Sequence, residues 1–432
     1  MPKSVTFNRG LSSVLFWSVI SAAFIGPGTV TTASNAGATF GLDLLWALVF
    51  SIFATIILQE AAARVTIASG MNLGEILARR YERNSRWVRW ILFGTIVFGC
   101  AAYQAGNILG AISGLGLFSE IPRQWLTLVL CLLAAALLWW GNTAWITRIL
   151  GAAVALMGIA FIWSAFSGNL GFGAWLDGMR PRVNNGNALL VIGLIGTTIV
   201  PYNLFLASGI SKGQRIQEMR WGVVIAIIIG GIISAAIMAV GTQVNGPFSF
   251  AALSQAMELK MGASGAVLFG FGLFAAGLSS AITSPFAAAI TGQSLMGSGR
   301  KAWSSKGKYF RLTWAGVISA GLILGTLDVK PVPAIILAQA VNGILLPVVA
   351  VFLTLAVNDR QLIPREFLNT TLVNALTLMI VLIASFLGLN NLWRAAVQVI
   401  PRWNAHPNWG WMTAGAGSLI ILFWLGRQIF KQ

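Results

Sequence analysis

Acid is what this sequence has least of: 11 Asp and Glu and a single histidine among 432 residues. Nearly all of those acids fall between the apolar runs or at their ends. Glu60 is the exception, and it sits four residues before Arg64, the helical spacing of an ion pair. His406 lies between the last two apolar runs and reads as a surface residue. The two cysteines, Cys100 and Cys131, both fall inside apolar runs, so neither a disulfide framework nor a metal cluster is indicated. A desolvated divalent cation needs anionic or strongly donating ligands, and the spans offer almost none. No nucleophile–base pair lies within them either, which leaves an intramembrane enzyme without chemistry. No long polar stretch occurs, which excludes a large soluble domain.

What the chain has in abundance is apolar sequence, 57% of its residues, in runs long enough to cross a bilayer. Twelve helical spans are expected, at 13–36, 43–66, 88–116, 122–140, 146–167, 186–209, 221–243, 263–293, 312–327, 332–356, 369–389 and 409–428. The start, MPKSVTFNRG, reads as too short for a cleavable leader, which makes the first span a signal-anchor. The net charge of +17 would suggest nucleic acid in a soluble protein. Here, with both termini placed in the cytoplasm, 21 of the 28 Lys and Arg fall on the inner side of the membrane. The charge is therefore topology rather than a nucleic-acid signal. An integral, multi-pass protein of the plasma (inner) membrane follows, with the lipid bilayer as its surroundings and a monomer sufficient.

Two spans carry interruptions. Ile25-Gly26-Pro27-Gly28-Thr29-Val30-Thr31-Thr32 breaks the first, with the helix expected to resume near Val30. Gly196-Thr197-Thr198-Ile199-Val200-Pro201-Tyr202-Asn203 breaks the sixth. Glycine and proline hold a helix together poorly, and a break at bilayer depth survives only when buried in protein or lining a polar cavity. The breaks lie five spans apart, and an odd number inverts the second unit relative to the first. Residues 1–168 and 184–357 are therefore expected to be inverted repeats within one transmembrane domain, with 366–432 as additional C-terminal helices. Paired interrupted helices of this kind mark the site of a secondary transporter.

The motifs around these breaks resemble those of the Nramp divalent-metal transporters. Gly26-Pro27-Gly28-Thr29 followed by Asn35-Ala36-Gly37-Ala38-Thr39-Phe40-Gly41 is similar to the family's first span. Arg64 to Leu73 is similar to the end of its second, Pro201-Tyr202-Asn203-Leu204-Phe205-Leu206 to its sixth and Gly277-Leu278-Ser279-Ser280-Ala281-Ile282-Thr283 to its eighth. The resemblance runs from about residue 13 to about 360 and implies an all-α, LeuT-like fold of two inverted five-helix repeats. The ligands depart from it. Gly26 and Thr29 stand where the family has Asp and Asn, Val200 and Tyr202 where it has Met and His, and Ala207 where it has a later His. Gln104 and Asn107 stand where it has acids on a proton route.

What remains around the breaks is neutral. Gly26, Gly28, Thr29, Val30, Thr31, Thr197, Thr198, Val200, Tyr202 and Asn203, with Gln339 and Asn342 of the tenth span, are the expected substrate-binding residues. Gln104, Asn107, Ser279 and Ser280 are expected to support them. Ser279 and Ser280 resemble the sodium site of LeuT-like carriers, which points to Na⁺ as coupling ion, and no cofactor is expected. Half-helix N-termini and hydroxyl donors favour an anion. The expectation is therefore a carrier of a small inorganic anion, bicarbonate before others, moving by alternating access. Two alternatives stay open. One is a divalent-metal carrier of the Mn²⁺/Mg²⁺ type, taking a hydrated ion with carbonyls and Gln339. The other is a membrane sensor that binds without transporting.

Overall fold

The computed structural model describes residues 25–81, 86–141, 144–168, 170–183, 186–297, 300–399 and 409–430. The start of the first expected span, His406 and both termini lie outside the described residues. The described helices are α1 (Pro27–Phe40), α2 (Leu45–Ser69), α3 (Leu73–Arg80), α4 (Arg86–Leu115), α5 (Arg123–Trp140) and α6 (Ala144–Phe166). There follow α7 (Phe172–Asp177), α8 (Ala188–Thr198), α9 (Pro201–Ile210), α10 (Ile216–Gly241), α11 (Phe250–Met261) and α12 (Ala263–Met296). The last four are α13 (Lys308–Thr326), α14 (Pro331–Val357), α15 (Thr371–Val399) and α16 (Trp409–Phe430).

Ten of these helices, with α8 and α9 counted as one, are long and apolar enough to cross a membrane. The chain is an integral, multi-pass membrane protein. The two expected spans outside that set are α1, whose beginning is not described, and α13, which opens on the polar run Lys308-Tyr309-Phe310-Arg311. Three shorter helices, α3, α7 and α11, join the spans. α3 carries a capping box, in which Asn72 and Glu75 each accept the other's backbone N–H at 2.9 Å. α15 runs ten residues past its expected end at 389, because Asn390 and Asn391 turn inward and are buried instead of opening a loop.

Lipid offers no hydrophobic drive between helices, so close backbone packing holds a bundle of this kind. α10 crosses α1 where a Cβ at Gly37 would stand 2.0 Å from the Met238 carbonyl oxygen and one at Gly241 2.2 Å from that of Ser34. α12 lies along α4, and Ser284 Oγ of α12 donates to the Cys100 carbonyl of α4 at 3.1 Å. Ion pairs then close one end of the bundle. Arg64 Nε donates to both Glu60 oxygens at 3.1 and 3.0 Å, and Arg220 Nε reaches the same carboxylate at 2.8 Å. Arg64 also donates to the Phe367 carbonyl and to Asn369, which ties the approach to α15 onto α2. Glu60 is thus held as a structural ion pair, as its spacing predicts.

Candidate transport site

Both predicted breaks are present. Ile25 and Gly26 are non-helical, and α1 starts at Pro27, three residues earlier than expected, because proline at the first helical position needs no N–H partner. α8 ends at Thr198, Ile199 and Val200 are non-helical with Val200 extended, and α9 restarts at Pro201 by the same device. Pro285 and Pro347 by contrast lie inside the continuous helices α12 and α14, so proline alone does not break these spans.

The fold brings the two breaks into contact. Thr29 Oγ1 of α1 and Thr197 Oγ1 of α8 are hydrogen-bonded at 2.9 Å, although 168 residues separate them. α14 covers both. A Cβ at Gly28 would lie 2.1 Å from Gln339 Nε2, and one at Gly196 would lie 2.1 Å from the Gln339 carbonyl oxygen. Gln339 is 1% exposed, and its Oε1 has no hydrogen-bond partner. A buried acceptor left without a donor costs about 1–3 kcal/mol, which leaves this oxygen available to a ligand.

The remaining predicted residues divide into three groups. Thr31 Oγ1 and Thr198 Oγ1 turn back on their own helices, donating to the carbonyls of Pro27 at 2.7 Å and Leu194 at 2.9 Å. Val30, Val200 and Tyr202 are buried at the breaks, and Asn203 is buried with both its side-chain polar atoms unpartnered. Asn342 does not join the breaks. Its Nδ2 donates to the carbonyls of Gly99 at 3.3 Å and Ala338 at 3.2 Å, which turns the amide toward α4. Gln104 Nε2 donates to the Ala281 carbonyl of α12 at 3.1 Å, so its free oxygen is fixed as an acceptor. The backbone carbonyl of Asn107 lies on the same α12 side, 2.7 Å from a Cβ at Gly277. Ser280 is buried with its Oγ 3.3 Å from a Cβ at Gly26, whereas Ser279 is only half-buried.

Three residues that serve the site escaped the sequence reading. Tyr103 OH, from α4, donates to the Thr197 carbonyl at 3.2 Å and lies 3.5 Å from that of Gly196, so it serves carbonyls at the end of α8. Its ring packs edge-on against Tyr202, with centroids 5.7 Å apart. The available signal was its rarity, one of four tyrosines, directly before Gln104 in the third span. Thr55 and Ser234, with Thr29, Thr198, Ile227, Gly230 and Gly231, line a cavity of about 10 Å³ beside the breaks. That is roughly the space of one water molecule. Tyr103→Phe removes the donor and leaves carbonyls of α8 without it. We expect a loss of about 1–2 kcal/mol of stability, read as a lower unfolding midpoint in detergent, with the α8–α9 break loosened.

Residues 18–394 match the family described as natural resistance-associated macrophage protein-like, Nramp. The chain belongs to the Nramp family. Among its relatives, the divalent metal cation transporter MntH of Verminephrobacter eiseniae is 26% identical over 366 residues, covering 79% of this chain and 80% of that protein. The MntH of Klebsiella pneumoniae subsp. pneumoniae is 29% identical over 293 residues, covering 64% and 70%. In structure the chain is similar to the manganese transporter of Eremococcus coleocola, with a TM-score of 0.73, 19% identity and coverage of 99% and 96%. It is also similar to Mhp1, a nucleobase-cation-symport-1 family transporter, with a TM-score of 0.59, 13% identity and coverage of 97% and 92%. The LeuT-like fold expected from the motifs is thereby established.

These Nramp relatives correct the substrate. A small inorganic anion, bicarbonate included, is not what the family's named members carry; they are divalent metal cation transporters. The anion reading gave its weight to half-helix N-termini and hydroxyl donors. The site offers fewer donors than that reading assumed, because Pro27 and Pro201 occupy the first helical positions and have no N–H to give. It also holds the carbonyl end of α8 and the free Gln339 oxygen, both of which attract a cation. The departures from the family motif remain. Among the described residues no group of three or more His, Cys, Asp or Glu comes together.

Proposed function

We propose that this Nramp-family chain is a secondary transporter of a divalent metal cation, held by neutral oxygens where α1, α8 and α14 meet. The observation that carries the reading is the buried Gln339 amide laid over the Gly28 break, its Oε1 without a hydrogen-bond partner, beside the Thr29–Thr197 contact. Family membership and the named activity of the relatives support it. With Gly26, Thr29 and Val200 in place of Asp, Asn and Met, the donor set holds no carboxylate or thioether. Such a set suits a hard cation that keeps most of its water, as Mg²⁺ does, better than soft ions that reward sulfur or nitrogen ligands. Retained water also lowers the charge compensation the protein must supply.

The cavity beside the breaks has room for about one water, so a hydrated ion enters only as the half-helices part. In this reading the interrupted helices are corresponding elements of inverted halves, 1–168 and 184–357, with both termini in the cytoplasm. Gln104 and Asn107 cannot titrate, so protons are not the coupling ion through these positions. Titrating the purified chain with Mg²⁺, Mn²⁺, Cd²⁺ and bicarbonate while following thermal unfolding tests the reading. A ligand at a hundred times its Kd stabilises by about 2.7 kcal/mol. We expect saturable stabilisation by Mg²⁺ and Mn²⁺, and less by Cd²⁺. Stabilisation by bicarbonate alone would overturn the proposal.

A further inference from the structure

One side of the membrane region is built from the ends of α2, α9, α12 and α14 and the starts of α4, α10 and α13, and its charges are arranged in two unlike halves. On one half four basic residues pair with acids: Arg64 and Arg220 with Glu60, Arg80 with Asp359, and Arg215 with Glu218. The other half draws on sequence stretches that are free of acids. The sequence holds none from Arg83 to Ser119 and none from Leu259 to Leu327. Along that acid-free stretch stand Arg89, Arg300, Lys301, Lys306, Lys308 and Arg311. Glu82, next to this stretch, lies outside the described residues.

Aromatic rings anchor this basic edge. Trp303 is buried between α4 and α12, edge-on to Phe93 at 5.6 Å and tilted against Tyr309 at 5.5 Å. Trp90 packs edge-on against Phe93 at 6.0 Å and is itself 59% exposed. The Arg311 guanidinium lies over the Trp139 ring, 3.9 Å from its centroid. The Arg89 Nε is buried without a hydrogen-bond partner. Exposed Trp and Tyr fix the depth of this edge at the headgroup level of a bilayer. Basic residues without acids at that depth attract anionic lipid headgroups.

We propose that the 300–311 segment, with Arg89 and the Trp90–Phe93–Trp303 cluster, is a docking site for the phosphodiester headgroup of an anionic phospholipid. Retention of basic residues as topology signals would account for their side of the membrane. It would not account for their segregation from the acid-paired half, nor for the unpartnered Arg89 nitrogen. The test uses the full chain in nanodiscs of phosphatidylcholine, with and without phosphatidylglycerol, reading bound lipid by native mass spectrometry and the unfolding midpoint.

We expect selective retention of phosphatidylglycerol and a higher midpoint in its presence. Both should fall in a variant combining Lys301→Gln, Lys306→Gln and Lys308→Gln, with lipid affinity reduced at least tenfold. These lysines are exposed, so the variant keeps its fold. Lys212→Gln with Arg360→Gln, exposed charges outside the segment, should leave the lipid effect unchanged. An equal loss in that control pair, an unchanged effect in the triple variant, or the same stabilisation from soluble glycerol phosphate would overturn the proposal. None of these outcomes depends on which ion the chain transports.

Discussion

Gly26→Asp is expected to tighten divalent-cation binding at least tenfold and to leave the fold intact. Gly26 caps α1 at φ −84° and ψ 175°, an extended conformation open to any residue. The nearest atom to an added Cβ is the end of a short side chain, Ser280 Oγ at 3.3 Å. Aspartate is also a favoured residue at a helix N-cap, where its charge meets the positive end of the dipole. A carboxylate about 4 Å from a unit positive charge gains about 4 kcal/mol at an effective dielectric of 20. A divalent ion gains more, and desolvation takes back part of it. A net gain of about 1.4 kcal/mol is enough for the tenfold effect. Calorimetric titration with Mn²⁺ and Mg²⁺, parent against variant, checks it. Weaker binding of both ions in a folded variant would contradict a cation site.

Gly196→Ala is expected to cost the folded protein about 3 kcal/mol or more, the upper range of overpacking. The added Cβ would stand 2.1 Å from the Gln339 carbonyl oxygen, 2.5 Å from the Gly343 nitrogen and 3.0 Å from its Cα. All three are backbone atoms of α14, so no flexible side chain can swing aside. Relief requires α8 and α14 to separate at the point where the site is closed. Gly209→Ala, on α9 and with nothing within 4 Å of its Cβ, serves as the control and should be neutral. Yield of monodisperse protein and the unfolding midpoint separate the two. A Gly196→Ala variant as stable as the Gly209→Ala control would show that the α8–α14 contact does not support the site.

The spans and both breaks were legible because each rests on local chemistry. Apolar length sets a span, and Gly26-Pro27-Gly28 or Val200-Pro201 within one sets a break. Pro285 and Pro347 show where local reading needed help, since proline alone stays inside α12 and α14 and only the surrounding glycines, hydroxyls and extended residues mark a true interruption. The end of α15 was misplaced because Asn390 and Asn391 look like loop residues until tertiary packing buries them. Rarity and its place before Gln104 were the only local marks of Tyr103, whose role exists because α4 passes beside the end of α8. Asn342 shares a helical face with Gln339, yet its hydrogen bonds turn it to α4. The substrate was the hardest to read. The same break presents amide donors at one end and carbonyl acceptors at the other, so its sign follows from which of them tertiary contacts leave free.

The most direct test of the cation-carrier account is flux in proteoliposomes of the purified parent chain. An Mg²⁺-sensitive dye inside the vesicles reports metal entry, and labelled bicarbonate is followed in a parallel arm. The account predicts saturable Mg²⁺ entry that Mn²⁺ inhibits competitively, together with bicarbonate movement no faster than in protein-free vesicles. Saturable bicarbonate entry with no metal flux would contradict it.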